Sequence, residues 1–161
     1  IYPQIEELVS NYGELCLFWF DVPMTLKKEH SQAIFDLVKK YQPDCLINSR
    51  LGNGAYDYVS LGDNEVPEFI PKDTELKEIL LNDIDGLKTS PYGIYETAAT
   101  VNNSWGYCAW DQNWKSAKKI ADIKHKLNNM GINYLLNVGP DGLGRIPAEC
   151  RKILQNVAKY S

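Results

Sequence analysis

Glu14-Leu-Cys-Leu-Phe-Trp-Phe20 is a near-continuous apolar run of strand length, and it ends in Asp21-Val-Pro23. A strand without polar alternation has both faces buried, as in a parallel sheet. Before it, Ile1, Ile5, Leu8 and Tyr12 recur at helical spacing and Gly13 follows as a stop. After it, Ser31 can cap a helix carrying Ile34, Leu37, Val38 and Tyr41, which Gln42-Pro43 ends. Cys45-Leu-Ile47 is a second buried strand and runs into Asn48-Ser-Arg50. Residues 51–71 are rich in Gly, Asn and Asp and read as one long loop of the kind that carries function. Leu76, Ile79, Leu80 and Ile84 predict a helix over 73–85. Gly93 to Val101 is a third strand, followed by an aromatic loop over Asn102–Asn113. Ser116 caps a helix carrying Ile120, Ile123, Leu127 and Met130, Gly131 ends it, and Ile132 to Val138 is a fourth strand. Gly139-Pro-Asp-Gly142 is a turn by composition, and Pro147 opens the last helix at its first position, with Ile153, Leu154 and Val157 inward.

Strands and helices thus alternate four times with long crossovers, which means an α/β fold, a parallel βα-repeat. Chemistry in such folds sits at the C-terminal ends of strands, here Asp21, Arg50, Glu96 to Trp105 and Asn137 to Asp141. Gly52-Asn-Gly54 lacks a third glycine and Gly139-x-x-Gly142-x-Gly144 has the wrong spacing, so a nucleotide fold is disfavoured.

The 161 residues are 44% hydrophobic and 24% charged, a composition suited to one globular unit. With 17 basic and 21 acidic side chains the net charge is −4, which lacks the basic excess that nucleic acid requires. The longest apolar run, Leu15 to Phe20, is far short of the roughly 20 residues that span a bilayer, so no membrane partner is expected. Cys16, Cys45, Cys108 and Cys150 form no C-x-x-C pair, and His30 and His125 lie far from them, so neither a metal nor a cofactor is expected and the cysteines read as free thiols. The chain opens without Met on one helix and closes on another, which reads as part of a larger protein.

Asp21, at a strand end beside Trp19 and Phe20, is placed for a nucleophilic or proton-handling carboxylate; a turn or cap residue is the plainer reading. Glu96, near the end of the third strand, is an unusual residue in a strand, with an outward solvated Glu as its alternative. Glu65 and Glu68 in the long loop compete with it. Arg50 can fork to a carboxylate or a hydroxylated ligand, or make a structural salt bridge to Asp57 or Asp63. Trp105-Gly-Tyr107, with Trp110 and Trp114, offers aromatic surface for stacking on a sugar, or packs on the core.

Taken together, Leu17-Phe-Trp-Phe-Asp21, Asn48-Ser-Arg50, Tyr95-Glu-Thr97 with Asn103-Ser-Trp-Gly-Tyr107, and Gly131 to Gly142 with Gly144-Arg-Ile-Pro147 resemble the α-L-fucosidases of glycoside hydrolase family 29. The resemblance implies a retaining hydrolase that releases terminal α-L-fucose from a fucosylated glycan through a covalent fucosyl-enzyme intermediate. It puts the nucleophile on Asp21 and pocket-lining roles on Trp19 and Arg50; Trp105 and Tyr107 of the aromatic loop are read as further substrate contacts. Some relatives take the acid/base from a Glu about twelve residues past the Arg, which here falls on Gly62; others take it from the strand Glu, which is Glu96. Retention needs one ionised and one protonated carboxyl roughly 5–5.5 Å apart. The resemblance also implies that residues 1–161 are the C-terminal half of a (β/α)8 TIM barrel, without the N-terminal half or the family's C-terminal β-sandwich. Such a half-barrel would self-associate through open sheet edges and lack activity by itself. Full-length relatives suggest a secreted, periplasmic or lysosomal setting. A catalytically silent carbohydrate-binding or interaction module is the competing reading, disfavoured because a binder has no use for a matched carboxylate pair.

Overall fold

A computed structural model of the chain describes residues 1–21, 25–68 and 90–160. They fall into two compact units, Ile1–Ser60 with Pro71–Tyr95, and Leu61–Ile70 with Glu96–Ser161. The helix expected over 73–85 lies outside the described residues.

In the first unit, α1 (Tyr2–Asn11) buries Ile5 and Val9, and Gly13 leaves it at φ +80°, a backbone state that glycine adopts without strain. β1 (Leu17–Phe18) pairs in parallel with β2 (Leu46–Ile47), with Leu17 opposite Leu46 and Phe18 opposite Ile47. The helix between them, α2 (Lys28–Tyr41), begins three residues before the expected cap. Ser31 is instead fully buried inside the helix, where its hydroxyl donates to the Leu51 carbonyl at 3.1 Å and accepts from Asn53 Nδ2 at 2.8 Å. It shares a face with Ile34 and Val38, which pack on Ile5, Val9, Cys45, Ile47 and Leu51. Burial of each large side chain contributes about 1.5–3 kcal/mol. Gln42 caps α2 through its N–H to the Val38 carbonyl, while its side-chain amide donates to the carbonyls of Val9 and Gly13. One residue therefore closes α2 and fixes the exit of α1.

The stretch read as an irregular loop after β2 contains a 3₁₀ turn (Ser49–Leu51) and a short strand, β3 (Val59–Ser60). Asn48 makes a parallel bridge with Tyr58, and the Val59 N–H donates to the Ile94 carbonyl at 3.1 Å. Two residues of strand are too few to show a period of two. Gly52, Asn53 and Gly54 all have positive φ, so Gly-Asn-Gly serves a tight turn.

β4 (Tyr95–Thr100), which belongs to the second unit from Glu96 on, and β5 (Ile132–Asn137) are hydrogen-bonded neighbours. All six residues of β4 are buried, as expected of a strand covered on both faces. β1 and β5 depart from that expectation, since Leu17 and Leu135 are each 38% exposed. Between β4 and β5, α3 (Ala117–Asn129) is capped by Ser116, whose Oγ accepts from the Lys119 N–H at 3.2 Å, and Gly131 follows at φ +73°. The expected turn at 139–142 is displaced by two residues. It closes on Asp141–Gly144, where the Gly144 N–H donates to the Asp141 carbonyl and Gly144 has φ +75°. Asp141 earns that place by accepting the N–H groups of Leu143 and Arg145 and pairing with the Arg145 side chain at 2.9 Å. Pro147 stands one position outside α4 (Ala148–Val157), which buries Cys150 and Ile153 against Val101 and Ile120.

Among the described residues no helix is long and apolar enough to cross a membrane, and no group of three His, Cys, Asp or Glu side chains could hold a metal ion.

Candidate active site

The candidate residues divide between the two units. In the first, the end of β1 meets the end of β2. The register of β1 and β2 ends at Phe18↔Ile47; Asn48 lies opposite Tyr58 in a parallel bridge, in which the Tyr58 N–H donates to the Ile47 carbonyl, and its own carbonyl accepts the Leu51 N–H at 3.3 Å. The Asn48 side chain takes over the lost pairing. Its Oδ1 accepts the Phe20 N–H at 2.9 Å and its Nδ2 donates to the Phe20 carbonyl at 2.9 Å, with the residue fully buried. Asp21 follows directly.

Arg50, two residues after Asn48, reaches Asp21 Oδ1 through Nη1 at 3.4 Å, while its Nε donates to Ser60 Oγ at 3.2 Å. Its guanidinium lies over the Trp19 ring, 4.8 Å from the centroid. The same turn holds its neighbour strand, since Ser49 Oγ accepts the Ser60 N–H at 3.0 Å. Asp21, Trp19 and Arg50 are therefore one cluster, and the Asp21 side chain is 54% exposed. The contact is long for a charged hydrogen bond, so it orients the carboxylate without burying it. Asp57, an alternative partner for Arg50, is engaged elsewhere: Lys39 pairs with it at 2.8 Å and the Ile47 N–H donates to it.

Glu96, Trp105 and Tyr107 belong to the second unit. Glu96 is not near the end of its strand, as the sequence suggested. It is the second of the six residues of β4, 4% exposed, and the Leu61 N–H donates to its carbonyl at 2.7 Å. That bond sets Glu96 level with the residue that follows β3. Glu65 and Glu68 are exposed. The Glu65 carboxylate folds back over Gly62: a Cβ built on Gly62 would lie 2.5 Å from Glu65 Oε2. Asn64, at φ +57°, ties the same loop to the end of β4 by accepting the Thr100 N–H at 2.9 Å. Lys115 braces this junction, donating to the carbonyls of Thr100 and Asn102 at 2.6 and 3.1 Å and to Asn64 Oδ1 at 3.3 Å. Desolvation pulls the Lys115 ammonium below its ordinary pKa.

The aromatic loop after β4 is organised by Asp111, a residue that the sequence reading missed. Its carboxylate accepts the Ser104 hydroxyl at 2.8 Å and the N–H groups of Asn103 and Asn113. The Ser104 hydroxyl bond first, then the Asn113 N–H, holds its carboxyl below the usual range. An Asp flanked at both ends by Asn and Ser within one loop was the available signal. Asn137, at the end of β5, donates to the Trp105 carbonyl at 2.5 Å. Gly139 admits the loop still closer, for a Cβ there would lie 2.7 Å from Gly106 C and Tyr107 N. The four aromatics do not form one surface. Trp114 packs half-buried on Val101, Ile120 and Cys150, Trp110 is 89% exposed, and Trp105 and Tyr107 are about half exposed. Tyr107 joins Asn102, Trp114, Asn137 and Gly139 in lining a cavity of about 190 Å³.

A family model described as alpha-L-fucosidase matches residues 1–161. A search of curated proteins returns no match. Among solved structures, the chain is similar to α-L-fucosidase AlfC from Lactobacillus casei in complex with α-L-fucose product, at 51% identity and a TM-score of 0.83, covering 99% of this chain and 43% of that one. It is similar to α-L-fucosidase isoenzyme 1 from Paenibacillus thiaminolyticus at 26% identity (TM-score 0.79; 99% and 37% covered), and to the α-L-fucosidase from Vibrio sp. strain EJY3 at 28% identity (TM-score 0.77; 98% and 26% covered). The chain thus spans less than half the length of these relatives. Matched from end to end by the family model, and carrying mixed α/β structure with parallel strands, this chain belongs to the α-L-fucosidase family.

Proposed function

We propose that this chain is part of the catalytic (β/α)8 barrel of a retaining α-L-fucosidase that releases terminal fucose from a glycan. The observation that carries the reading is the cluster at the ends of β1 and β2. There a strand-end carboxylate, Asp21, is oriented by Arg50, which itself stacks on Trp19. The family membership supplies the substrate class. AlfC has been captured with its α-L-fucose product, and an alanine variant of it with 4-nitrophenyl α-L-fucopyranoside.

In this mechanism Arg50 takes Asp21 Oδ1, and the other carboxylate oxygen attacks the anomeric carbon. The bond from that carbon to the leaving oxygen breaks, and Glu96 delivers the proton that the leaving oxygen takes up. A water then gives its proton to Glu96, attacks the same carbon and displaces Asp21, so that two inversions return the original anomer. Trp19, Trp105 and Tyr107 supply faces for the sugar. Glu96 is 4% exposed on β4, and proton transfer is the use we assign to it. A second reading gives the proton to Glu65, whose carboxylate fills the space beside Gly62, the position on which the acid/base Glu of some relatives falls by sequence spacing.

The test uses the full-length enzyme. Asp21→Gly abolishes turnover of all fucosides, and ¹H NMR of wild type shows α-fucose as the first product. Glu96→Ala spares fucosides with acidic phenol leaving groups and is rescued by azide, which needs no general base. If Glu65→Ala shows that pattern while Glu96→Ala leaves kinetics unchanged, the proton donor is the loop carboxylate. Inversion of configuration would overturn the mechanism.

A further inference from the structure

We infer that Asn48 is a positioning residue for the nucleophile, acting on Asp21 through the backbone of Phe20; this rests on the reading of Asp21 as nucleophile. The Asp21 side chain is more than half exposed and its ion pair with Arg50 is long, so side-chain packing alone does not fix it. What is fixed is the peptide that precedes it. Both polar groups of Phe20 are bound by one fully buried amide, each at 2.9 Å, in the manner of a strand neighbour. Only a group with a donor and an acceptor side by side at this reach can do that: an amide, or a protonated carboxyl. Gln is one methylene too long, and a carboxylate or an alanine leaves the Phe20 carbonyl without its donor. Because Asn48 also lies opposite Tyr58 in a parallel bridge, the residue links β1 to the strand beyond β2 and transmits the sheet's rigidity to the attacking oxygen.

The experiment compares Asn48→Asp, Asn48→Ala and Ser31→Ala in the full-length enzyme, using an aryl fucoside with an acidic phenol so that attack by Asp21 is observed. Ser31→Ala removes an equally buried hydrogen bond from α2, one that ends on the Leu51 carbonyl and not on Phe20. A displacement of about 1 Å costs about a hundredfold in rate, so both Asn48 variants should lose about that factor in kcat at neutral pH with KM within about threefold. Ser31→Ala should lose stability with kcat unchanged. The activity of Asn48→Asp relative to wild type should recover as pH falls and the introduced carboxyl protonates, regaining a donor; Asn48→Ala should show no such limb. If Asn48→Ala does not fold, the acid limb of Asn48→Asp decides alone. Wild-type kcat in the Asn48 variants, or a missing acid limb in Asn48→Asp, overturns the inference. Turnover by Asp21→Gly would instead overturn the nucleophile assignment, whatever the Asn48 variants do.

Discussion

Replacing Gly139 by alanine should move the aromatic loop by an amount that the structure sets. Gly139 has an ordinary φ, so alanine brings no backbone strain there, only a methyl group. That methyl would lie 2.7 Å from Gly106 C and Tyr107 N and 2.9 Å from the Gly106 carbonyl oxygen, and all three are backbone atoms that cannot rotate away. Ordinary contact begins near 3.4 Å, so residues 106–107 must retreat by about 0.7 Å, taking the Asn137–Trp105 hydrogen bond with them. Overpacking of this kind costs about 1–3 kcal/mol, and each kcal/mol lowers Tm by about 2–4 °C in a domain of this size. On the proposal that Trp105 and Tyr107 contact the sugar without reacting, displacing them by a good fraction of an ångström costs about ten- to a hundredfold in kcat/KM, most of it in KM. The assay is thermal unfolding together with steady-state kinetics on an aryl α-L-fucoside, in the full-length enzyme. Gly142→Ala is the control, because nothing lies within 4 Å of its added methyl and its φ is not positive. A Gly139→Ala variant with wild-type Tm and KM would show that this close approach does not position the loop.

Other consequences can be checked in the same way. Asp111 is held below the usual carboxylate range by its loop, so its stabilisation is complete above the unfolded value near 3.9 and is lost as pH falls through the depressed folded value. Asp111→Asn should therefore flatten the acid limb of the stability profile, followed by thermal melts between pH 2 and 6. Lys115→Met should cost about 1–3 kcal/mol by leaving the Thr100 and Asn102 carbonyls short of a donor, measured by chemical denaturation; the 61–65 loop should become more protease-sensitive. The isolated 161-residue chain should self-associate through the exposed apolar residues of β1 and β5 and turn over fucosides poorly. A monodisperse monomer in sedimentation, active at about 1 s⁻¹ or faster, would refute both.

The alternation of elements was legible because it rests on local chemistry. Apolar runs, helical spacing, a Ser cap at 116 and glycines at 13 and 131 act over a few residues, and the structure keeps them. The motif residues were legible too: Asp21, Trp19 and Arg50 do come together, although Arg50 stands 29 residues after Asp21. Tertiary structure alone decided how they meet. Asn48 serves two strands at once, lying opposite Tyr58 in a parallel bridge and binding Phe20 through its side chain, and no period in the sequence records a side chain that substitutes for a strand. The start of α2 moved from Ser31 to Lys28 because Ser31 found a better use for its hydroxyl on the buried Leu51 carbonyl. β3 escaped because two residues cannot display a period. Glu96 was legible as a candidate, but not its depth: burial on β4 depends on what packs against both faces of that strand, and that is set by chain far from it in sequence.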